Sequence, residues 1–221
     1  MLEGLTMNTK SRNISSSVIK RLPRYYRFLG DLRSKGMNRI SSKELSERMG
    51  LTASQIRQDL NCFGEFGQQG YGYNIELLQN EISKILGLET AKKAILIGAG
   101  HMGKALTMHF DMTTKGFKLI GIFDKKPSLC GQTVQNLPIH SMERLDEFCR
   151  ENKPEMAILC IPRGEAHDVA ETLINLGVKG FWNFSHYDLS VDFPDICVEN
   201  VHLSDSIMTL RYNLNKIETK E

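Results

Sequence analysis

Apolar residues recur three and four positions apart between Val18 and Lys35, at Ile19, Leu22, Tyr26, Leu29 and Leu32. This spacing predicts an amphipathic helix, with Pro23 in its first turns, where a missing N–H costs least. A second helix is predicted over SKELSERM: Ser41 and Glu44 form a capping-box pattern, Leu45 and Met49 supply the apolar face, and Gly50 ends it. Thr52, with Gln55 three positions on, starts a third helix through IRQDLNCF. Ile56, Leu60 and Phe63 form its inner face and Ser54, Gln55, Arg57, Gln58 and Asn61 its polar face. Gly64, Gly67, Gly70 and Gly72, set among Phe66, Tyr71 and Tyr73, then predict a short hairpin rather than more helix.

After a predicted linking helix, IELLQNEISKILG, the pattern changes. Ala94 to Ile97 is a short, wholly apolar run that leads into Gly98-Ala99-Gly100-His101-Met102-Gly103, and a helix follows. FKLIGIFD predicts the next strand. Helix at SMERLDEFCREN, strand at MAILCIP, helix at GEAHDVAETLINLG and strand at KGFWNF then alternate, which is the signature of a parallel, doubly wound sheet. In the tail, Ser204 and Asp205 form a cap, and Ile207, Leu210, Leu214 and Ile217 lie on one stripe. Such a stripe needs a partner surface, on its own domain or on a second subunit.

Composition adds constraints. Hydrophobic residues make up 41% and charged residues 24% of the 221, an ordinary globular balance. No apolar run is long enough for a signal peptide or a membrane span, so the expectation is a cytoplasmic protein with no membrane partner. Five scattered cysteines lack C-x-x-C spacing, which argues against a disulfide framework and a zinc site. Residues 1–60 carry twelve Lys/Arg against five Asp/Glu, whereas the remainder is net acidic. One end is therefore polarised toward polyanions.

Helix, tight turn, helix and hairpin together read as a winged helix. The second helix of the turn lies in the major groove of double-stranded DNA, where Arg can chelate guanine and Gln or Asn can pair with adenine. The candidates are Ser54, Gln55, Arg57, Gln58 and Asn61. The wing tip Gln68-Gln69-Gly70, with Tyr71 beside it, is small and polar enough for a minor groove. Lys20, Arg21, Arg24 and Arg27 are placed to neutralise phosphates.

In the second half, the order strand, glycines, helix makes G-x-G-x-x-G a dinucleotide fingerprint. Gly98 allows the turn, Gly100 lets pyrophosphate approach the backbone, and Gly103 lets helix and strand pack closely. Asp124 ends the second strand twenty-one residues after Gly103. There it would bind ribose hydroxyls and repel a 2′-phosphate, which favours NADH and NAD⁺ over NADP(H), although Lys125 and Lys126 follow at once. Cys160, Ile161 and Pro162, and Asn183, Phe184 and Ser185, lie at the carboxyl ends of strands, where ligands of such sheets gather.

QIRQDLNCFGEFGQQGYGYNIELL, GAGHMGKAL with FD after it, GVKGFWNF and VENVHLSDSIMTLRY resemble the Rex family of redox-sensing repressors over nearly the whole chain. The resemblance implies a homodimer with the terminal helix exchanged between subunits, an inverted-repeat operator, release of DNA on NADH binding, and repression with NAD⁺. It places Arg57 and Gln58 on the recognition helix and Gly98, Gly100, Gly103 and Asp124 at the dinucleotide. The organisation that follows is a winged-helix domain with linking helix (1–88), a Rossmann-like parallel-sheet domain (89–202), and a dimerisation helix and tail (203–221). Two positions depart from the family pattern: His109 replaces the usual tyrosine after the glycine helix and His202 the usual aspartate near the end. In the family these join an arginine, matched by Arg27, to couple cofactor state to domain orientation, and two histidines beside Arg27 do not reproduce that network. A repressor insensitive to NADH, or answering another effector, is one alternative. A small NAD-dependent oxidoreductase is a remote one, since His167 and His186 are the only obvious proton carriers near the predicted rim and no second catalytic domain remains.

Overall fold

The computed structural model describes residues 14–64, 67–68 and 71–218. Contacts divide the chain between Glu89 and Thr90 into two units.

In the N-terminal unit, α1 (Ser16–Ser34), α2 (Ser42–Met49), α3 (Ala53–Asn61) and α4 (Ile75–Ile85) surround one core. A small antiparallel sheet, β1 (Arg39–Ile40), β2 (Gly67–Gln68) and β3 (Gly72–Asn74), runs in the order β1-β3-β2. Local chemistry sets the helix ends. The Glu44 amide donates to Ser41 Oγ at 3.1 Å while the Ser41 amide donates to the Glu44 carboxylate at 2.9 Å, a complete capping box. Gly50 terminates α2 in the left-handed region (φ 62°), and Thr52 Oγ1 accepts the Gln55 amide at 3.1 Å to start α3. Gly72 combines φ +70° with a backbone approach so close that a Cβ would lie 2.6 Å from the Ile40 carbonyl oxygen.

Three expectations change. The buried face of α1 is Val18, Leu22, Tyr25, Leu29 and Leu32, whereas Ile19 is exposed and Tyr26 only half-buried. Tyr25 turns inward because its hydroxyl finds a buried acceptor, Asp59. Pro23 sits well inside α1 rather than in its first turns, on the exposed side where water reaches the carbonyl left without a donor. The predicted linking helix is instead part of the core: Ile75, Leu78 and Ile82 of α4 are buried with α1, after a cap in which Asn74 Oδ1 accepts the Leu77 amide.

The C-terminal unit holds β4 (Lys92–Ile97), α5 (His101–His109), β5 (Phe117–Asp124), β6 (Thr133–Val134), β7 (Leu137–Ser141), α6 (Leu145–Asn152), β8 (Met156–Leu159), α7 (Arg163–Asn175), β9 (Gly180–Asn183), α8 (Leu189–Asp192) and β10 (Cys197–Asn200). The order β10-β9-β8-β4-β5-β7-β6 places the first strand of the unit, β4, between the second, β5, and the fourth parallel strand, β8. This is the doubly wound dinucleotide-fold order, with its switch point beside β4. The sheet is not wholly parallel, because β6 pairs antiparallel with β7 at one edge. Both faces of β4 are buried: Ile95 and Ile97 join Leu145, Ala170 and Leu173 from α6 and α7, and Ala94 and Leu96 join Met112 and Ile158 on the other side. On that second face Trp182 meets Phe110 in a tilted contact and Phe184 edge-to-face, at centroid distances of 5.1 and 4.8 Å, and all three rings stay at least partly exposed.

The tail forms α9 (Leu203–Glu218), beginning one residue before the predicted Ser204 cap. Ile207, Leu210, Leu214 and Ile217 are all exposed, so the stripe does not fold back onto its own chain. Among the described residues, no helix is long and apolar enough to cross a membrane.

Candidate functional site

The recognition face is carried by α3. Ile56 and Leu60 are buried, which turns Ser54, Arg57, Gln58 and Asn61 to solvent. Arg57 Nη1 donates to Ser42 Oγ at 3.0 Å, an exposed bond that pre-orients the guanidinium between α2 and α3. Gln55 behaves differently. It is half-buried, and its Nε2 donates to Asp59 Oδ1 at 2.8 Å.

Asp59 is the centre of a network that the sequence pattern does not announce. It is 1% exposed and accepts Arg21 Nε and Nη2 at 2.6 and 2.8 Å, as well as the Tyr25 hydroxyl at 2.8 Å. Burial pushes its carboxyl up, but the hydrogen bonds from Arg21, Gln55 and Tyr25 outweigh that and leave it below the usual carboxylate range. The hydrogen bond to Asp59 holds Arg21 cationic, and burial pushes the Tyr25 hydroxyl up. Two predicted DNA contacts are thereby revised. Arg21 and Gln55 are committed to Asp59, where they fix how α1 crosses α3, rather than offering free groups to phosphate or bases. Arg24 is also engaged: Nη2 donates to the Met49 carbonyl at the end of α2, and the guanidinium lies over Phe28. Lys20 and Arg27 remain exposed without a partner among the described residues.

At the wing, Tyr71 is 69% exposed. Arg39, absent from the sequence-derived candidates, donates to the Tyr71 carbonyl at 3.3 Å and places its guanidinium 5.7 Å from the Tyr71 ring centroid. A two-residue strand is too short for periodicity to reveal it. The predicted tip residues Gln69 and Gly70 lie outside the described residues, and for Gln68 only its backbone place in β2 is described.

The second candidate site is the crevice at the carboxyl end of β4. Gly98 has φ +99°, and a Cβ there would lie 2.4 Å from the Cys160 carbonyl oxygen, so β4 and β8 converge as closely as the backbone permits. At Gly103 a Cβ would lie 2.0 Å from the Gly98 oxygen, which is how α5 approaches the turn. Gly100 differs from both: a Cβ would meet nothing within 4 Å. Gly100 also caps α5 without a side chain, leaving the first-turn amides of that helix, at His101, Met102 and Gly103, aimed into this open space. Asp124 borders it. Its Oδ2 accepts the Ala99 amide at 2.6 Å and its Oδ1 the Lys126 amide at 2.8 Å, so the carboxylate is pinned beside the glycine turn.

Cys160 and Ile161 follow β8 beside the glycine turn, where a Cβ on Gly98 would meet the Cys160 carbonyl and, at 3.0 Å, the Ile161 side chain; Pro162 comes next and caps α7. Burial pushes the Cys160 thiol up to about 12, which makes it an apolar wall rather than a nucleophile. Asn183 and Ser185 are a correction. Both are buried, and Asn183 uses both ends of its amide internally: Nδ2 donates to the Tyr187 carbonyl at 2.5 Å and to Asn200 Oδ1 at 2.8 Å, while Oδ1 accepts the Ser185 amide and hydroxyl at 3.0 and 2.6 Å. Their side chains brace the turn after β9 and offer no free polar group to a ligand; Phe184 packs on Trp182.

The histidines separate as follows. His109 is exposed at the end of α5. His202 stacks on His186 at 5.6 Å, with Nδ1 atoms 3.5 Å apart, and His186 adopts φ 60°. Arg27 belongs to α1 in the N-terminal unit. His167 meets its neighbour Asp168 at 3.2 Å and sets its ring against Phe193 and Tyr187, at centroid distances of 5.2 and 6.2 Å. Among the described residues no group of His, Cys, Asp or Glu is arranged to hold a metal ion.

Two family models match the chain: the N-terminus of a putative DNA-binding protein over residues 13–61, and a CoA binding domain over residues 89–187. The chain is 51% identical over 211 residues to the redox-sensing transcriptional repressor Rex of Clostridium perfringens, covering 96% of this chain and 99% of that protein. The Clostridium novyi repressor of the same name is 50% identical, covering 93% and 98%. Among solved structures, RSP in complex with β-NAD⁺ and operator DNA matches with TM-score 0.86 and 49% identity, covering 93% of this chain and 94% of that one. RSP in complex with β-NADH matches with TM-score 0.86 and 45% identity, covering 95% and 98%.

Proposed function

The chain belongs to the Rex family of redox-sensing transcriptional repressors, and on that premise we propose that it represses from an inverted-repeat operator and releases it when NADH occupies the crevice beside β4. One observation carries this reading: the space at Gly100 is open where the switch-point order, the free amides of α5 and Asp124 converge. The α5 amides would receive the pyrophosphate, and Asp124 the adenosine ribose hydroxyls. Cys160, Ile161 and Pro162 would supply an apolar wall. The nicotinamide supplies the redox state that is sensed; this chain's residues supply binding and position.

On the DNA side, Arg57, Gln58, Ser54 and Asn61 would meet base edges, while Lys20, Arg39 and Tyr71 would hold backbone and wing. The active form is a homodimer, matching an operator with two half-sites. The exposed stripe Ile207, Leu210, Leu214, Ile217 and the partly open cluster Phe110, Trp182, Phe184 are apolar surfaces that a second copy would cover. The setting is the cytoplasm.

The test is fluorescence anisotropy of a labelled A/T-rich inverted-repeat duplex. The protein retains the duplex with NAD⁺ and releases it on titration with NADH. A second reading, a repressor that binds NADH without releasing DNA, is favoured by one feature: His202, at the family's aspartate position, is engaged with His186. Binding of NADH with no loss of anisotropy selects it. Coupling of this kind is typically about 1–3 kcal/mol, within reach of two substitutions.

The base-reading assignment makes its own prediction. Arg57→Ala is expected to lower preference for the operator over a scrambled duplex by about tenfold to a hundredfold, the worth of one bidentate base contact. Lys20→Ala is expected instead to weaken both duplexes alike and reduce the salt slope by about 0.9. An Arg57→Ala protein with unchanged selectivity removes that residue from base readout.

A further inference from the structure

The strand order puts β4 between β5 and β8. Lys125 follows the end of β5, and Glu165 lies in the first turn of α7, which follows β8. Lys125 Nζ and Glu165 Oε1 are 2.5 Å apart, so this ion pair joins the loop after β5 to α7 across the carboxyl end of the strand between them, β4. An exposed pair of this kind contributes little stability. Its consequence lies in where it holds a cation.

We propose that Glu165 is a positioning residue for cofactor choice: by holding Lys125 across the crevice, it denies that cation to a 2′-phosphate and so enforces selection of NADH over NADPH. The inference rests on the dinucleotide reading above. Lys125 follows Asp124, whose carboxylate is pinned at the turn where the adenosine ribose would lie. A cation next to that acid is what a 2′-phosphate requires, and this chain has two in succession, Lys125 and Lys126. Asp124 alone would leave the local balance positive. Glu165 restores it to neutral and directs the Lys125 stem to the far wall. As an anion in the first turn of α7, Glu165 is itself favoured there by the helix dipole, so it stays fixed while the long lysine adapts.

The experiment measures NADH and NADPH binding directly, by nicotinamide fluorescence, to the full-length protein and its variants. Glu165→Gln is expected to raise NADPH affinity relative to NADH by roughly fivefold, the scale of one exposed charge interaction. The gain should shrink as NaCl is raised. Glu165→Asp, which keeps the charge, should stay near the parent ratio, and Lys125→Ala in the Glu165→Gln background should erase the gain. An unchanged ratio in Glu165→Gln, or a gain that survives Lys125→Ala, overturns the proposal while leaving the NADH reading intact. A parent protein that binds neither dinucleotide overturns that reading first, and this inference with it.

Discussion

Asp59→Ala is expected to destabilise the N-terminal unit by about 3–5 kcal/mol, the cost of removing one partner from a buried ion pair. The substitution leaves the Arg21 guanidinium, the buried Tyr25 hydroxyl and the Gln55 amide without the carboxylate that accepts four donor bonds. A unit of this size holds only about 5–15 kcal/mol in total, so much of it would be partly unfolded at growth temperature. Guanidinium melts of the full-length protein, followed by far-UV circular dichroism, measure the loss. A drop below about 1 kcal/mol would show that the network is dispensable. Pairing Asp59→Leu with Arg21→Met should recover much of the stability, because both charged partners are then absent.

The same carboxylate sets a pH dependence. Its folded-state pKa is depressed, so its stabilisation is complete above the unfolded value of about 4 and is lost as pH falls through the lower folded value. Asp59→Ala should lack that part of the acid limb. DNA affinity should fall with the network too, since Asp59 joins α1 to the helix that carries Arg57.

Gly100→Val is expected to abolish dinucleotide binding while leaving the fold alone. Gly100 has φ −70°, which valine adopts without strain, and a Cβ there enters open space. That space is the one the pyrophosphate would need. Losing charge-assisted bonds to the α5 amides costs about 3 kcal/mol, more than a hundredfold in affinity. Thermal melts should coincide with the parent, and the operator complex should persist at NADH concentrations that release the parent. Retained NADH binding would place the cofactor elsewhere. Gly103→Ala provides the contrast: a Cβ 2.0 Å from the Gly98 oxygen forces α5 away from β4, so this change should lower stability as well as binding.

Residues whose role is settled within a few positions were legible from the chain alone. The Ser41–Glu44 capping box, the Gly50 stop, the Thr52 cap, the glycine turn after Ile97 and the acid ending β5 depend on backbone geometry over one turn, and each forms where the pattern places it. Legibility failed where a residue answers to a distant partner. Arg21 and Gln55 read as DNA contacts because long polar side chains on an amphipathic helix look alike, whether they face solvent or a buried carboxylate. The partner of Arg21 lies thirty-eight residues away. Tyr25 rather than Tyr26 turns inward for the same reason, and Asn183 and Ser185 satisfy each other through a turn no periodicity describes.

Local propensity thus determined the two modules, their caps and the glycine cradle, because steric limits on φ and ψ act residue by residue. Tertiary packing alone decided which polar groups remain available to DNA or dinucleotide, because a buried carboxylate must collect donors from wherever the fold brings them. It also decided that Lys125 and Glu165, forty residues apart, meet across one crevice.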